Sequence, residues 1–249
     1  MNNYQLKINK LAKIIQEPII NNQVKEINKI IETINQHDVL DRRPVDLGLA
    51  PNELDEIQRK NFQSKRVAIE QINNLLNNFR SFLSRYYGIW SLPNLETVHL
   101  LKSEFDLKKG LEIMAGNAYW SKALTQANVK MIASDSFTWA QGSKTGQNNF
   151  YPTQKLDAIS SIEKYDDVDF IMCAWAPNFG DSDCQVLDTY RKCCDLKQTK
   201  LFFVGEKNGA TNTAQFWQKA HQIKSKKLLK VNQSFKSFDF IDEKIFEIK

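Results

Sequence analysis

Apolar residues recur at spacings of three and four through the first part of the chain: Leu6, Leu11, Ile14 and Ile15, then Ile27, Ile30, Ile31 and Ile34. That period stripes one face of a helix, so two amphipathic helices are predicted, separated by Pro18. Arg42 to Pro51 holds two prolines and one glycine and reads as a loop. Asn52 or a neighbour caps the next helix, with Glu53 in its first turn, and this helix should run to about Tyr86. Its apolar face, from Ile57 through Ile69, Ile72 and Leu76 to Phe82, needs a packing partner. From Leu100 short apolar runs alternate with helical segments, the signature of a parallel α/β sheet. Strands are expected near Gly110 to Met114, Lys130 to Ala133, Asp169 to Cys173 and Lys200 to Val204, with a weaker one around Tyr151 to Lys155. Helices are expected at Trp120 to Ala127, Ala158 to Tyr165, Asp183 to Cys194 and Thr213 to Ile223. Two β-like runs close the chain, Lys227 to Val231 and Lys244 to Ile248, separated by turn material with Asp239 and Asp242. They are expected to form an antiparallel hairpin at one sheet edge.

The pattern divides the 249 residues into a helical extension, 1–90, and an α/β domain, 91–249. The extension reads as a lid or an association arm, with a homodimer through its helices left open. No apolar run approaches the roughly 20 residues that a membrane span requires, and the basic, amphipathic start MNNYQLKINKLAKII lacks the apolar core of a secretory signal. A cytoplasmic protein is the expectation, with a transit peptide the minor alternative. Cys173, Cys184, Cys193 and Cys194 fit no paired zinc pattern, and His37, His99 and His221 sit in no metal or triad motif. The formal charge of +5 is mild and spread along the chain. Arg42, Arg43, Lys60, Lys65 and Arg66 are basic but belong to no recognised nucleic-acid motif.

Candidate chemistry concentrates in Lys109 to Asp135, KGLEIMAGNAYWSKALTQANVKMIASD. An apolar run enters a turn containing Gly116, an amphipathic segment follows, and a second apolar run ends in an acid about 20 residues after the glycine. This is the sequence shape of a nucleotide-binding βαβ unit. The glycine lets a backbone approach a ligand, and Asp135 stands where a carboxylate accepts ribose hydroxyls.

The order of strand, loop, helix, strand and acid, with the segments GLEIMAGNAYW, DFIMCAWAP and LFFVGEKNGATNTAQFW, resembles the Rossmann-like (class I) S-adenosylmethionine-dependent methyltransferases, a bacterial group among them. The resemblance spans roughly residues 86 to 249. It implies a Rossmann-like sheet with a C-terminal antiparallel hairpin, S-adenosylmethionine as cofactor and an unidentified methyl acceptor as partner. In its first motif the acid is Glu112, which would hold the cofactor ammonium, and the three glycine positions are Met114, Gly116 and Ala118. Only the middle glycine is retained. Implied cofactor contacts are Glu112, Gly116, Asn117, Ala118 and Tyr119, then Asp135 and Ser136, Asp157 and Ala158 beside adenine, and Cys173. The turn after the fourth strand, CAWAP, keeps an aromatic and a proline but lacks the Asn or Asp that accepts amine hydrogens in adenine and cytosine methylases. Trp175 and Pro177 are expected beside the transferring methyl, Trp175 as a cation-binding wall. Glu206 is the expected base of the next loop, and Thr211 an expected substrate contact. Two other readings stay open: a non-catalytic methyltransferase-like association module, and a nicotinamide-dependent reductase. The reductase would need the GxGxxG that this turn lacks.

Overall fold

The structure, a computed structural model, describes residues 1–61, 63–138, 145 and 148–249. Two helices open it, α1 (Asn3–Ile15) and α2 (Pro18–Asn35). Asn2 caps α1 by accepting from the Gln5 N–H, while the Gln5 side chain accepts from the Asn2 N–H. Pro18 stands in the first turn of α2, where its missing N–H is no loss. The buried stripe of α2 is Ile20, Val24, Ile27, Ile30, Ile31 and Ile34. Each such side chain contributes about 1.5–3 kcal/mol of burial free energy.

The single long helix expected to run to Tyr86 is three helices: α3 (Pro51–Lys60), α4 (Arg66–Asn77) and α5 (Phe79–Tyr87). Asparagines make both breaks. Asn61 turns extended and its amide donates to the Ile57 carbonyl, and Asn78 donates to the Asn74 carbonyl. A short amide side chain that bonds the preceding turn competes with the helical ladder. At the start of α3, Glu53 accepts from the Ala50 N–H, so the helix begins one residue before Asn52. A further helix, α6 (Leu95–Phe105), crosses the point at which the sequence pattern changes, and Asn94 caps it.

Then come β1 (Lys109–Glu112), α7 (Tyr119–Gln126), β2 (Lys130–Asp135), β3 (Thr153–Lys155), α8 (Ala158–Lys164), β4 (Phe170–Ala174), α9 (Ser182–Cys193), β5 (Lys200–Glu206), α10 (Ala214–Lys219), β6 (Gln222–Ile223), α11 (Lys226–Ser234) and β7 (Glu243–Ile248). Among the described residues they build a seven-stranded sheet in the order β3-β2-β1-β4-β5-β7-β6. β1 to β5 are parallel, and β7 runs antiparallel between β5 and β6. This is an α/β fold with the Rossmann-like order and the C-terminal antiparallel strands. The expected hairpin partner is corrected, however. Lys227 to Val231 lies inside α11, where Ser225 caps the helix and Leu228 and Val231 are buried at a spacing of three. β7 pairs instead with β5 and with the two residues of β6, just beyond α10, which ends short of Ile223.

Strand alternation sorts the core into two layers. Phe170 and Met172 of β4, with Phe202 and Val204 of β5, join a core shared with α1 to α7 and α11. Ile171, Cys173, Leu201 and Phe203 face α8, α9 and α10. The N-terminal helices thus continue the core of one sheet face. No helix among the described residues is long and apolar enough to cross a membrane.

Gly110 of β1 pairs with Phe170, and a Cβ there would lie 2.3 Å from the phenyl ring. Gly110→Ala is therefore expected to lower stability by about 1–3 kcal/mol. A urea midpoint equal to wild type would show that the sheet relaxes around the added methyl.

Candidate functional site

The chain leaves β1 outward to β2 and β3, then returns to β4 on the other side of β1. At that reversal the loops after β1 and β4 diverge and open a crevice at the strand C-termini. A cavity of about 720 Å³ occupies it. One half is built by the ends of β1 and β2 and the start of α8, the other by the turns after β4 and β5 and by Gly88 to Ser91, which follow α5.

The turn after β1 makes its approach with left-handed backbone at alternate residues: Met114 at φ 50°, Gly116 at 53° and Ala118 at 56°. Two of the three are not glycine, and a left-handed L-residue costs on the order of 1–2 kcal/mol. The conformation is held by backbone bonds from Ala115 N to Ser134 O (3.0 Å) and from Ala118 N to Ala115 O (2.7 Å). Asp135, at the end of β2, accepts from the Gly116 N–H at 2.8 Å and the Phe137 N–H at 2.6 Å. Glu112 accepts from both the backbone N–H and the hydroxyl of Ser121, in the first turn of α7. A carboxylate therefore already fills the positive end of this helix. Burial pushes the Glu112 pKa up to about 7; the two Ser121 bonds oppose the shift, and the Asp135 charge adds to it. Asp157 caps α8 through the Ser160 N–H and hydroxyl, and those bonds hold its carboxyl below the usual range.

The opposite wall is aromatic. Trp175, on the turn after β4, has φ 58°, which is exceptional for a bulky residue. Its surroundings over-determine it. The backbone N–H donates to the Val204 carbonyl at 2.8 Å, the indole Nε1–H donates to Glu243 at 2.7 Å, and the ring stacks on Trp90 with centroids 5.5 Å apart. The Arg80 guanidinium lies 4.7 Å from the Trp175 ring. Arg80 comes from α5 and is buried, and its five N–H groups are all used: two on Asp239, one each on Glu243, Ser237 and the Trp90 carbonyl. Burial would pull this guanidinium down; Glu243 and Asp239 more than reverse that and hold it above its ordinary value.

Of the residues singled out by sequence, Glu112, Gly116, Tyr119, Asp135, Ser136, Asp157, Ala158, Trp175 and Pro177 line the cavity. The Tyr119 hydroxyl points away, donating to the Asp38 carbonyl. Asn117, Ala118, Cys173, Glu206 and Thr211 lie outside the lining. Asn117 ties the turn to the Tyr87 and Thr145 carbonyls. Ala118 is fully buried at the head of α7. Cys173 faces the core layer under α8, α9 and α10 with its sulfur 3.8 Å from that of Met114, and burial raises its pKa. Glu206 accepts from the N–H groups of Ala210 and Asp242, and Thr211 bonds the Glu206 backbone, so both close the β5 loop. Sequence reasoning missed Trp90, Phe179, Ser182 and Gln185 in the lining and the whole Arg80 cluster behind it. The available signal was slight: an arginine among the apolar residues of a helix, and a tryptophan two residues past a glycine.

No family model and no curated protein matches the sequence. Solved structures similar to it include a SAM-dependent methyltransferase from Agrobacterium tumefaciens at 18% identity, covering 47% of this chain and 45% of that one, with a TM-score of 0.34. Human N-acetylserotonin methyltransferase in complex with SAM is 9% identical over 96% of this chain and 69% of its own, with a TM-score of 0.42. Magnesium protoporphyrin IX methyltransferase from Synechocystis with bound SAM is 12% identical over 72% and 95%, with a TM-score of 0.38. The match spans less than half the length of the Agrobacterium enzyme.

Two outcomes follow from this geometry. Removing Arg80 strands two buried carboxylates, so Arg80→Ala should cost about 3–5 kcal/mol in urea unfolding, and lysine, with three donors for five places, should not restore it. A loss under 1 kcal/mol would mean that water replaces the guanidinium. For Glu112, whose folded pKa of about 7 lies above the ordinary 4.5, the folded state binds the proton more tightly. Its contribution is therefore most favourable below 4.5 and falls by roughly 3 kcal/mol as pH rises to 7. Stability measured against pH should lose that part of its slope in Glu112→Gln.

Proposed function

We propose that the chain is an S-adenosylmethionine-dependent methyltransferase acting on an acceptor held between the turns after β4 and β5 and the segment after α5. One observation carries the reading. Among the described residues, the crevice at the strand reversal is lined by three carboxylates, Glu112, Asp135 and Asp157, and by no lysine, arginine or histidine. Such a lining suits a nucleoside with a net positive tail. It does not suit a dinucleotide, whose pyrophosphate needs a free helix N-terminus, because Glu112 fills that of α7. The retained left-handed backbone at Met114, Gly116 and Ala118 supports the same reading, since it is the path that glycines would give.

In this reading Glu112 faces the cofactor ammonium, the turn at Gly116 runs along the methionyl chain, and Asp135 takes the ribose hydroxyls. Asp157 and Ala158 flank adenine. The sulfonium of the bound cofactor supplies an activated methyl group. What remains for the protein is to align the acceptor and exclude water, which the walls from both ends of the chain would do.

Calorimetry should find binding of S-adenosylmethionine and S-adenosylhomocysteine and none of NAD; failure of both sulfur compounds to bind at millimolar concentration sinks the proposal. Asp135→Ala should weaken S-adenosylmethionine by about 1.5–3 kcal/mol, roughly 10- to 150-fold, the usual cost of losing hydrogen bonds to a charged group. Unchanged affinity would remove Asp135 from the ribose site.

A further inference from the structure

The acceptor half of the cavity has a composition that restricts the nucleophile. The turns after β4 and β5, the start of α9 and the segment after α5 contribute Trp90, Trp175, Pro177 and Phe179, with Ser91, Asn178, Ser182 and Gln185 as polar side chains. None of these titrates near neutral pH. Acids of the flanking turns are engaged and lie outside the lining: Glu206 accepts from two backbone N–H groups, Glu243 from Trp175 and Arg80, Asp183 from the N–H groups of Cys184 and Thr213, and Asp181 from the Gln185 amide. The residues outside the described set, 62, 139–144, 146 and 147, include no Asp, Glu, His, Cys or Tyr. Among the described residues, the lining of the acceptor half is therefore without a carboxylate or imidazole base for an alcohol, a phenol or a protonated amine. The CAWAP turn itself holds no Asn or Asp, and Asn178, which follows it in the lining, is an amide that can accept a hydrogen bond but takes up no proton.

Charge narrows the choice further. Three carboxylates line the cofactor half, and behind Trp175 the buried cluster of Arg80, Asp239 and Glu243 holds one guanidinium against two carboxylates. This surrounding favours cations and repels thiolates, phenolates and carboxylates. Trp175 is flanked by Trp90 and by the Arg80 guanidinium, so the exposed Trp90 indole is the face that remains to stabilise a quaternary nitrogen.

Resting on the methyltransferase reading, we propose that the acceptor is a small, uncharged heteroaromatic amine, methylated on a ring nitrogen that bears no hydrogen, to give a fixed cation held against Trp90. The nitrogen lone pair forms the new N–C bond, and the S–C pair returns to sulfur, which becomes a neutral thioether. The positive charge passes from sulfur to nitrogen, no proton is released, and no base is needed. A cavity of 720 Å³ that also holds the cofactor leaves room for one or two rings.

The test uses the full-length protein, methyl-labelled S-adenosylmethionine and three two-ring probes of one shape: isoquinoline, 2-naphthol and 2-naphthalenethiol. Cofactor binding is measured first, so its absence refutes the methyltransferase reading itself. Given binding, the expected result is N-methylisoquinolinium formed at least 10-fold faster than either ether or thioether, with a rate at saturating cofactor that is flat from pH 8 to 9, above the titration of Glu112. Equal or faster transfer to the naphthol or the thiol overturns the proposal, and so does cofactor binding with no transfer to isoquinoline. In the complex with S-adenosylhomocysteine, Trp90→Ala should weaken N-methylisoquinolinium at least 10-fold while the affinity for S-adenosylhomocysteine stays unchanged. Unaltered affinity for the cation would remove the indole wall from the argument.

Discussion

The buried guanidinium of Arg80 is the constraint on which the candidate site depends. It draws together three distant parts of the chain: α5, the turn after β4 through Trp175, and the approach to β7 through Ser237, Asp239 and Glu243. A buried arginine is tolerable only when every donor has a partner, and here each of the five does. Because Glu243 also binds the Trp175 indole, the network fixes the orientation of an aromatic wall whose backbone is in a strained region. The helices and the C-terminal strands thus hold the aromatic half of the crevice in shape.

The half at the ends of β1 and β2 is held in another way. A carboxylate at the end of β1 and another at the end of β2 each accept backbone N–H groups, of Ser121 and of Gly116 and Phe137. These bonds hold a turn in which Met114 and Ala118 adopt the left-handed conformation without being glycine. The same carboxylates give the crevice its negative character, so one set of residues stabilises the turn and sets the charge of what can enter it. The two functions are linked at Glu112, where burial brings the pKa into the neutral range.

Much of the α/β half was legible because strand burial follows a period of two and helices follow a period near four. β1, β2, β4 and β5 and the acids at their ends lie close to where those periods place them. The segments that departed from the expected pattern did so for separate local reasons. At Asn61 and Asn78 an amide side chain bonds the backbone and ends a helix that periodicity alone would continue. Lys227 to Val231 is too short for its period to separate strand from helix, and the Ser225 cap with burial against α6 makes it helical. Glu206 and Thr211 stand at the right end of the sheet but are turned into their own loop.

The sequence by itself determined the alternation of strands and helices, the acids at the ends of β1 and β2, and the presence of an unusual turn between them, because these are local patterns of polarity and spacing. Only the tertiary structure decided that the backbone of that turn keeps three left-handed residues, that β7 enters between β5 and β6, and that Arg80 and Trp90 complete the wall opposite. Each of those outcomes is a contact across the fold, between residues up to 163 positions apart, whose energy depends on burial and mutual orientation. No local pattern encodes such a contact, since an arginine on a helix face acquires its role only when two carboxylates from the other end of the chain are brought against it.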